Sequence, residues 1–154
     1  SWQLQNSGSD RSLRRVTFVD TLHGWVVESG GGIISTSDGG LTWQPQNTIE
    51  NFASISVYFL NREYGWAVGG LDILLETRDG GATWEKRYER DPGVFLGVFF
   101  LDENIGWIVG AAVSIIEDNF DDGLILHTED GGQTWQEQLQ PVGRHFKKGI
   151  KNDT

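Results

Sequence analysis

A chain of 154 residues with a net charge of −10, 21 Gly, seven Trp, eight Phe and no Cys has the size of one domain and the aromatic mass to bury a core. The acidic balance argues against nucleic acid as a partner, since phosphate binding needs a basic face; the lack of Cys removes disulfide, thiolate and zinc-thiolate chemistry. No apolar run approaches the ~20 residues of a membrane span, and a chain without Met is expected to have lost a segment upstream of Ser1.

In chain order, Ser1-Trp2-Gln3-Leu4-Gln5-Asn6 comes first, and Thr42-Trp43-Gln44-Pro45-Gln46-Asn47 repeats it 41 residues on. The longer unit behind this copy is VTFVDTLHGWVVESGGGIISTSDGGLTWQ from Val16. It returns as VYFLNREYGWAVGGLDILLETRDGGATWE from Val57, then as VFFLDENIGWIVG from Val98, resuming at GLILHTEDGGQTWQ from Gly123. Trp25, Trp66 and Trp107 are 41 apart, whereas Asp79 and Asp130 are 51 apart, so ten extra residues lie between Trp107 and Asp130. Within each unit β-branched and aromatic residues cluster in short runs bounded by Gly, Asp and Asn, which predicts strands. For the first unit these are about Arg15 to Val19, Gly24 to Val27, Ile33 to Ser37 and Thr42 to Gln46. Four strands in about 40 residues make a propeller blade. The chain is therefore read as all-β, with three blades of four antiparallel strands over about 14–47, 54–88 and 95–140. Residues 1–6 form an orphan fourth strand, and 141–154 a basic, flexible tail. Three blades are fewer than the four to eight that close a ring, so the chain is either part of a longer propeller or half of an assembly.

The third and fourth strands are joined by TSDGGLTW, TRDGGATW and TEDGGQTW. Asp-Gly between β runs marks a hairpin, because the turn needs positive φ, which Gly supplies without steric cost. The Asp carboxylate accepts backbone N–H bonds inside the turn, the Thr hydroxyl adds a local bond, and the Trp sends its indole into the core. A structural role is accordingly assigned to Thr36, Asp38, Gly40, Thr42 and Trp43, to Thr77, Asp79, Gly81, Thr83 and Trp84, and to Thr128, Asp130, Gly132, Thr134 and Trp135.

These segments resemble the Asp-box, SxDxGxTW, with Thr in its first position. The Asp-box is shared by sialidases, sortilin-type receptors, some glucanases and the photosystem II assembly factors of chloroplasts and cyanobacteria. Phe18, Asp20, Gly24, Trp25 and Val27, with their counterparts Phe59, Asn61, Gly65, Trp66 and Val68 and Phe100, Asp102, Gly106, Trp107 and Val109, give FxDxxxGWxV lines. That combination resembles the photosystem II assembly factors over residues 1 to about 140. The resemblance implies a noncatalytic propeller that binds protein or peptide, in an extracytoplasmic compartment. The alternative is a carbohydrate-binding or glycosidase-derived propeller fragment.

The sequence offers no catalytic constellation. A sialidase needs an arginine cluster and a Tyr/Glu pair, and its Arg-Ile-Pro motif is missing; a glucanase needs two carboxylates across a cleft, whereas Asp20 and Asp102 sit at turn positions. His23, His127 and His145 lack metal-binding spacing, and no GxSxG elbow occurs. Neither a cofactor nor a metal is expected. Partner binding is placed instead on the face that carries the insertion and the links between blades, because loops on a rigid scaffold concentrate binding. The insertion brings Glu117, Asp118, Phe120, Asp121 and Asp122; the links bring Arg11, Arg14, Arg87 and Arg90. A protein or peptide partner is expected, with a homodimer as the route to a six-bladed ring.

Overall fold

Among the described residues the first three strands of each blade follow runs rich in β-branched, aromatic and aliphatic residues, bounded by turns rich in Gly, Asp and Asn. The structure, a computed structural model, describes residues 3–46, 52–89, 93–112 and 122–138. Within them lie β1 (Leu13–Phe18), β2 (Gly24–Glu28), β3 (Ile33–Thr36), β4 (Gln44–Pro45), β5 (Ser54–Phe59), β6 (Gly65–Gly69), β7 (Ile73–Thr77), β8 (Glu85–Glu89), β9 (Gly93–Phe100), β10 (Gly106–Ala112), β11 (Asp122–Thr128) and β12 (Gln136–Glu137). They pair antiparallel in sequence order as three four-stranded sheets, β1 to β4, β5 to β8 and β9 to β12. These are the blades of a partial propeller. The first strands β1, β5 and β9 touch one another in succession and form the inner edge of the array.

The repeated Phe and Gly-Trp form the joints between blades. Phe18, Phe59 and Phe100 pair across the sheet with Gly24, Gly65 and Gly106, and each ring lies on its glycine so closely that a Cβ there would sit 2.5 to 2.6 Å from ring atoms. The Trp after that glycine points to the opposite face and stacks on the Phe of the next blade: Trp25 on Phe59 at 3.6 Å between centroids, Trp66 on Phe100 at 3.7 Å, both with ring planes nearly parallel. The Asp-box Trp84 and Trp135 meet the same Phe rings edge-on. Two apolar cores result, one between the first and second blades around Trp25, Phe59 and Leu75, the other between the second and third around Trp66, Phe100 and Leu126. Trp25 also donates its Nε1–H to the Gly80 carbonyl at 2.9 Å, tying the first blade to the second blade's Asp-box.

Each inner strand carries a bulge at the same repeat position. One residue is left unpaired between Leu13 and Arg15, between Ser54 and Ser56, and between Phe95 and Gly97. Bulges re-aim a side chain and steepen local twist, and here they free Arg14, Ile55 and Leu96.

The structure modifies two boundaries expected from sequence. The fourth strands of the first and third blades shrink to the two-residue pairs Gln44–Pro45 and Gln136–Glu137. The insertion is partly strand: Ala111 pairs with Gly123 and Ala112 with Asp122, which lengthens the hairpin. Residues 113–121 lie outside the described residues, as do Trp2 of the proposed orphan strand and the basic tail. Gln3 to Asn6 make no strand, but Gln5 packs on Gly40 and donates to the Gly39 carbonyl at 3.1 Å. Gln46 packs on Gly81 of the following blade in the same way.

Candidate functional site

The three Asp-boxes close the β3–β4, β7–β8 and β11–β12 turns with one shared network. In the first, the Thr36 hydroxyl donates to Asp38 Oδ1 at 2.8 Å and accepts the Gly40 N–H at 2.9 Å. Asp38 Oδ1 also accepts the Thr42 N–H at 2.9 Å, and Oδ2 accepts the Thr42 hydroxyl at 2.6 Å. The second box repeats this with Thr77, Asp79, Gly81 and Thr83, the third with Thr128, Asp130, Gly132 and Thr134. The two Gly of each box have φ between 73° and 97°, a conformation in which a Cβ is strained. Of the box Trp residues, Trp84 is buried, whereas Trp43 and Trp135 are half-buried. Each carboxylate accepts three hydrogen bonds from donors within its own turn, which commits it to closing that turn.

Asp79→Ala removes the acceptor for three donors, and loss of a cap of this kind costs about 1–2 kcal/mol. Melting should shift down accordingly while ligand binding at low temperature is unchanged; native melting with abolished binding would count against a structural role.

The same bonds hold the box carboxyls below the usual carboxylate range. The Thr42 hydroxyl first, then its N–H and Thr36, bring Asp38 from 3.8 to about 2; Thr134 acts likewise on Asp130, also to about 2, and Thr83 lowers Asp79. A depressed folded pKa contributes stability above the unfolded value and loses it as pH falls through the folded one. The melting temperature should therefore be level at neutral pH and drop between about pH 4 and about pH 2. A flat profile across that acid window would contradict the network.

The β1–β2, β5–β6 and β9–β10 turns lie beside the boxes, as the bonds from Gly39 N–H to Leu22, Gly80 N–H to Glu63 and Gly131 N–H to Asn104 show. Asp20, Asn61 and Asp102 each use Oδ1 to accept two backbone N–H groups of their turn. Asp20 also accepts from Arg62 of the next blade at 2.8 Å and contacts His23 Nδ1. Its carboxyl lies well below the usual range, chiefly through the Leu22 N–H and then Arg62. An open cleft of about 440 Å³ between these turns is lined by Val19, Asp20, Leu60, Asn61, Arg62 and Glu63. Its carboxylate and guanidinium neutralise each other rather than converging on a substrate. Among the described residues no group of His, Cys, Asp or Glu gathers to hold a metal, and no helix is long and apolar enough to cross a membrane.

On the opposite face, with the links and the β2–β3 type hairpins, Arg11 lies over the Gly30–Gly32 turn, and Arg14 is the exposed bulged residue of β1. Leu96 is exposed at the equivalent bulge of β9, a position that no composition or spacing signal singles out. Arg87 is not in a link. It lies in β8, where it ion-pairs with the buried Glu76 and with Glu85 at 3.2 Å. Glu76 also takes Arg78 at 3.0 Å, so Arg87 helps neutralise a buried carboxylate while the residue itself stays exposed. Arg90, Glu117, Asp118, Phe120 and Asp121 lie outside the described residues; Asp122 opens β11.

The family model described as photosynthesis system II assembly factor YCF48 matches residues 1–93 and again 49–142, windows offset by about one blade. The chain belongs to the YCF48 assembly-factor family. Among solved structures, YCF48 bound to D1 peptide is similar at 28% identity and a TM-score of 0.72, over 87% of this chain and 42% of that one. YCF48 from Cyanidioschyzon merolae is similar at 29% identity and a TM-score of 0.66, over 83% and 37%. The chain thus spans less than half the length of these YCF48 proteins. An ancestral GH74 enzyme at 17% identity and a TM-score of 0.66, over 88% of this chain and 19% of that one, shares the fold alone. No curated protein matches.

Proposed function

We propose that this chain is a noncatalytic, peptide-binding propeller segment that acts in photosystem II assembly. The observation that carries the reading is its likeness, over most of its length, to a YCF48 whose structure holds a D1 peptide. The local chemistry supports it: the carboxylates of the Asp-boxes and turns are consumed by backbone donors, which leaves a rigid scaffold rather than a reaction centre. Binding belongs on the link face, where Arg11 and Arg14 stand near the bulged inner edge and the acidic insertion adds Phe120 and its carboxylates. The proposal includes an extracytoplasmic site of action, to be checked by fractionation, and the pairing of two copies into a six-bladed ring.

Titration calorimetry with a peptide from the D1 protein tests the binding role. Wild type should give a saturable isotherm. Deleting residues 113–121 should leave melting in place and weaken binding by about 1 kcal/mol or more, and more at low salt than at high salt. Arg14→Glu should act in the same direction. No binding by the wild type would overturn the function. Wild-type binding that neither variant changes would move the site off the link face.

A further inference from the structure

The three-blade array ends in two unlike faces, and repeat arithmetic says what each is. At both internal joints the preceding blade contributes a Trp, a Val and an Ile or Leu: Trp25, Val27 and Ile33, then Trp66, Val68 and Leu74. The following blade receives them on a Val, a Phe and a Leu: Val57, Phe59 and Leu75, then Val98, Phe100 and Leu126. On the open side of the third blade the contributing set recurs as Trp107, Val109 and Ile125. On the open side of the first blade the receiving set recurs as Val16, Phe18 and Ile34. The residue types are those of a third joint; Ile34 is already buried at 4%, and Val16, Phe18 and Val109 are the members left exposed among the described residues. Val16 is 59% and Phe18 44% exposed, where Val57 and Phe59 are 3% each; Val109 is 46% exposed, where Val27 and Val68 are 0%. Trp107, without the Phe of a following blade against it, lies on its own sheet between His127 at 4.9 Å and Phe99 at 6.3 Å.

We infer that these faces close on each other between two copies of this chain, head to tail, with Trp107 of one copy stacked on Phe18 of the next. This deepens the pairing of copies proposed for the chain and rests on it. A second copy is the occupant because it carries the receiving face and the contributing face, in the register already used twice. Unlike faces make a heterologous contact, which closes only if the rotations sum to a ring, and the aromatic centre with β-branched flanks has the make-up of an interface core.

The contact meets one built-in competitor. Gln138 holds the repeat position of Gln46, which at the internal joint packs on Gly81 of the next blade. On the first blade that place, at Gly40, is already filled by Gln5 of the same chain. Two segments cannot share it, so Gln3–Asn6 restrains association, and removing residues 1–6 leaves the third blade's own fourth strand in sole possession.

Sedimentation equilibrium and light scattering on the 154-residue chain test this, with circular dichroism as the control for folding. Wild type should reach twice the monomer mass, and deletion of residues 1–6 should lower Kd several-fold. Trp107→Ser, at a half-buried site, and Val16→Asp, at an exposed one, should each raise Kd about tenfold or more. Mixing these two variants should restore part of the association, because one of the two joints in the mixed pair is then intact. A monomer at every concentration, the deletion included, would overturn both the pairing and its geometry. A dimer that is lost in Val16→Asp, untouched in Trp107→Ser and not rescued by mixing would overturn the head-to-tail contact alone. So would a dimer that neither variant weakens.

Discussion

Trp66→Ala is expected to cost about 3–5 kcal/mol, the range for removing a large aromatic from a core that cannot collapse around the void. Trp66 is 0% exposed and lies flat on Phe100, with Val68, Leu74 and Leu126 around it, so its removal empties the joint between the second and third blades. Its Nε1–H has no hydrogen-bond partner, whereas the equivalent Trp25 donates to Gly80. The two positions therefore separate packing from hydrogen bonding. Trp66→Phe gives up no bond and leaves a smaller void than Ala does, so it should cost clearly less than Trp66→Ala. Trp25→Phe also forfeits the tie to the next blade and should cost about 1 kcal/mol more than Trp66→Phe. Urea unfolding followed by circular dichroism reads all three. A loss below about 1 kcal/mol for Trp66→Ala would mean that the joint is not a packed core.

The repeat was legible because three copies must satisfy the same local physics. Asp followed by Gly-Gly needs positive φ wherever it occurs, and the structure places Gly39, Gly80 and Gly131 at φ near 74°. Joints between blades were less legible. Spacing alone shows that Phe18 and Gly24 recur together, but not that the glycine is there to let the ring lie on the backbone, nor that the Trp beside it belongs to the neighbouring blade. The bulges at Arg14, Ile55 and Leu96 left no trace, since three different residue types occupy one conformation. The ion pairs of Arg87 are hidden from the sequence for a related reason. Charge in a sequence reads as surface, and only the fold shows that Glu76 on the adjoining strand is buried and requires a cation.

Gly65→Ala provides the second large effect, and comparing it with Gly24→Ala isolates its cause. In a strand the added methyl alone should help by about 0.5–1 kcal/mol, since Gly is entropically costly there. At Gly65 the new Cβ would sit 2.5 Å from the Phe59 ring. That ring cannot retreat: Trp25 is stacked on it at 3.6 Å and Trp84 meets it edge-on at 5.9 Å. The overlap must then be relieved by moving two blades apart, and overpacking of this kind costs typically 1–3 kcal/mol; the clamped ring puts Gly65→Ala near about 3. Gly24 faces the same clash with Phe18, at 2.6 Å. Phe18, however, has only Trp43 edge-on at 6.1 Å and no stacked Trp, so it can swing toward solvent. Gly24→Ala should accordingly stay within about 1 kcal/mol of wild type in the monomer. If a second copy lays its Trp107 on Phe18, that tolerance disappears, and the Gly24→Ala penalty should grow with protein concentration until it approaches that of Gly65→Ala. Equal penalties at high dilution would show that the open ring is held by something other than a neighbouring Trp.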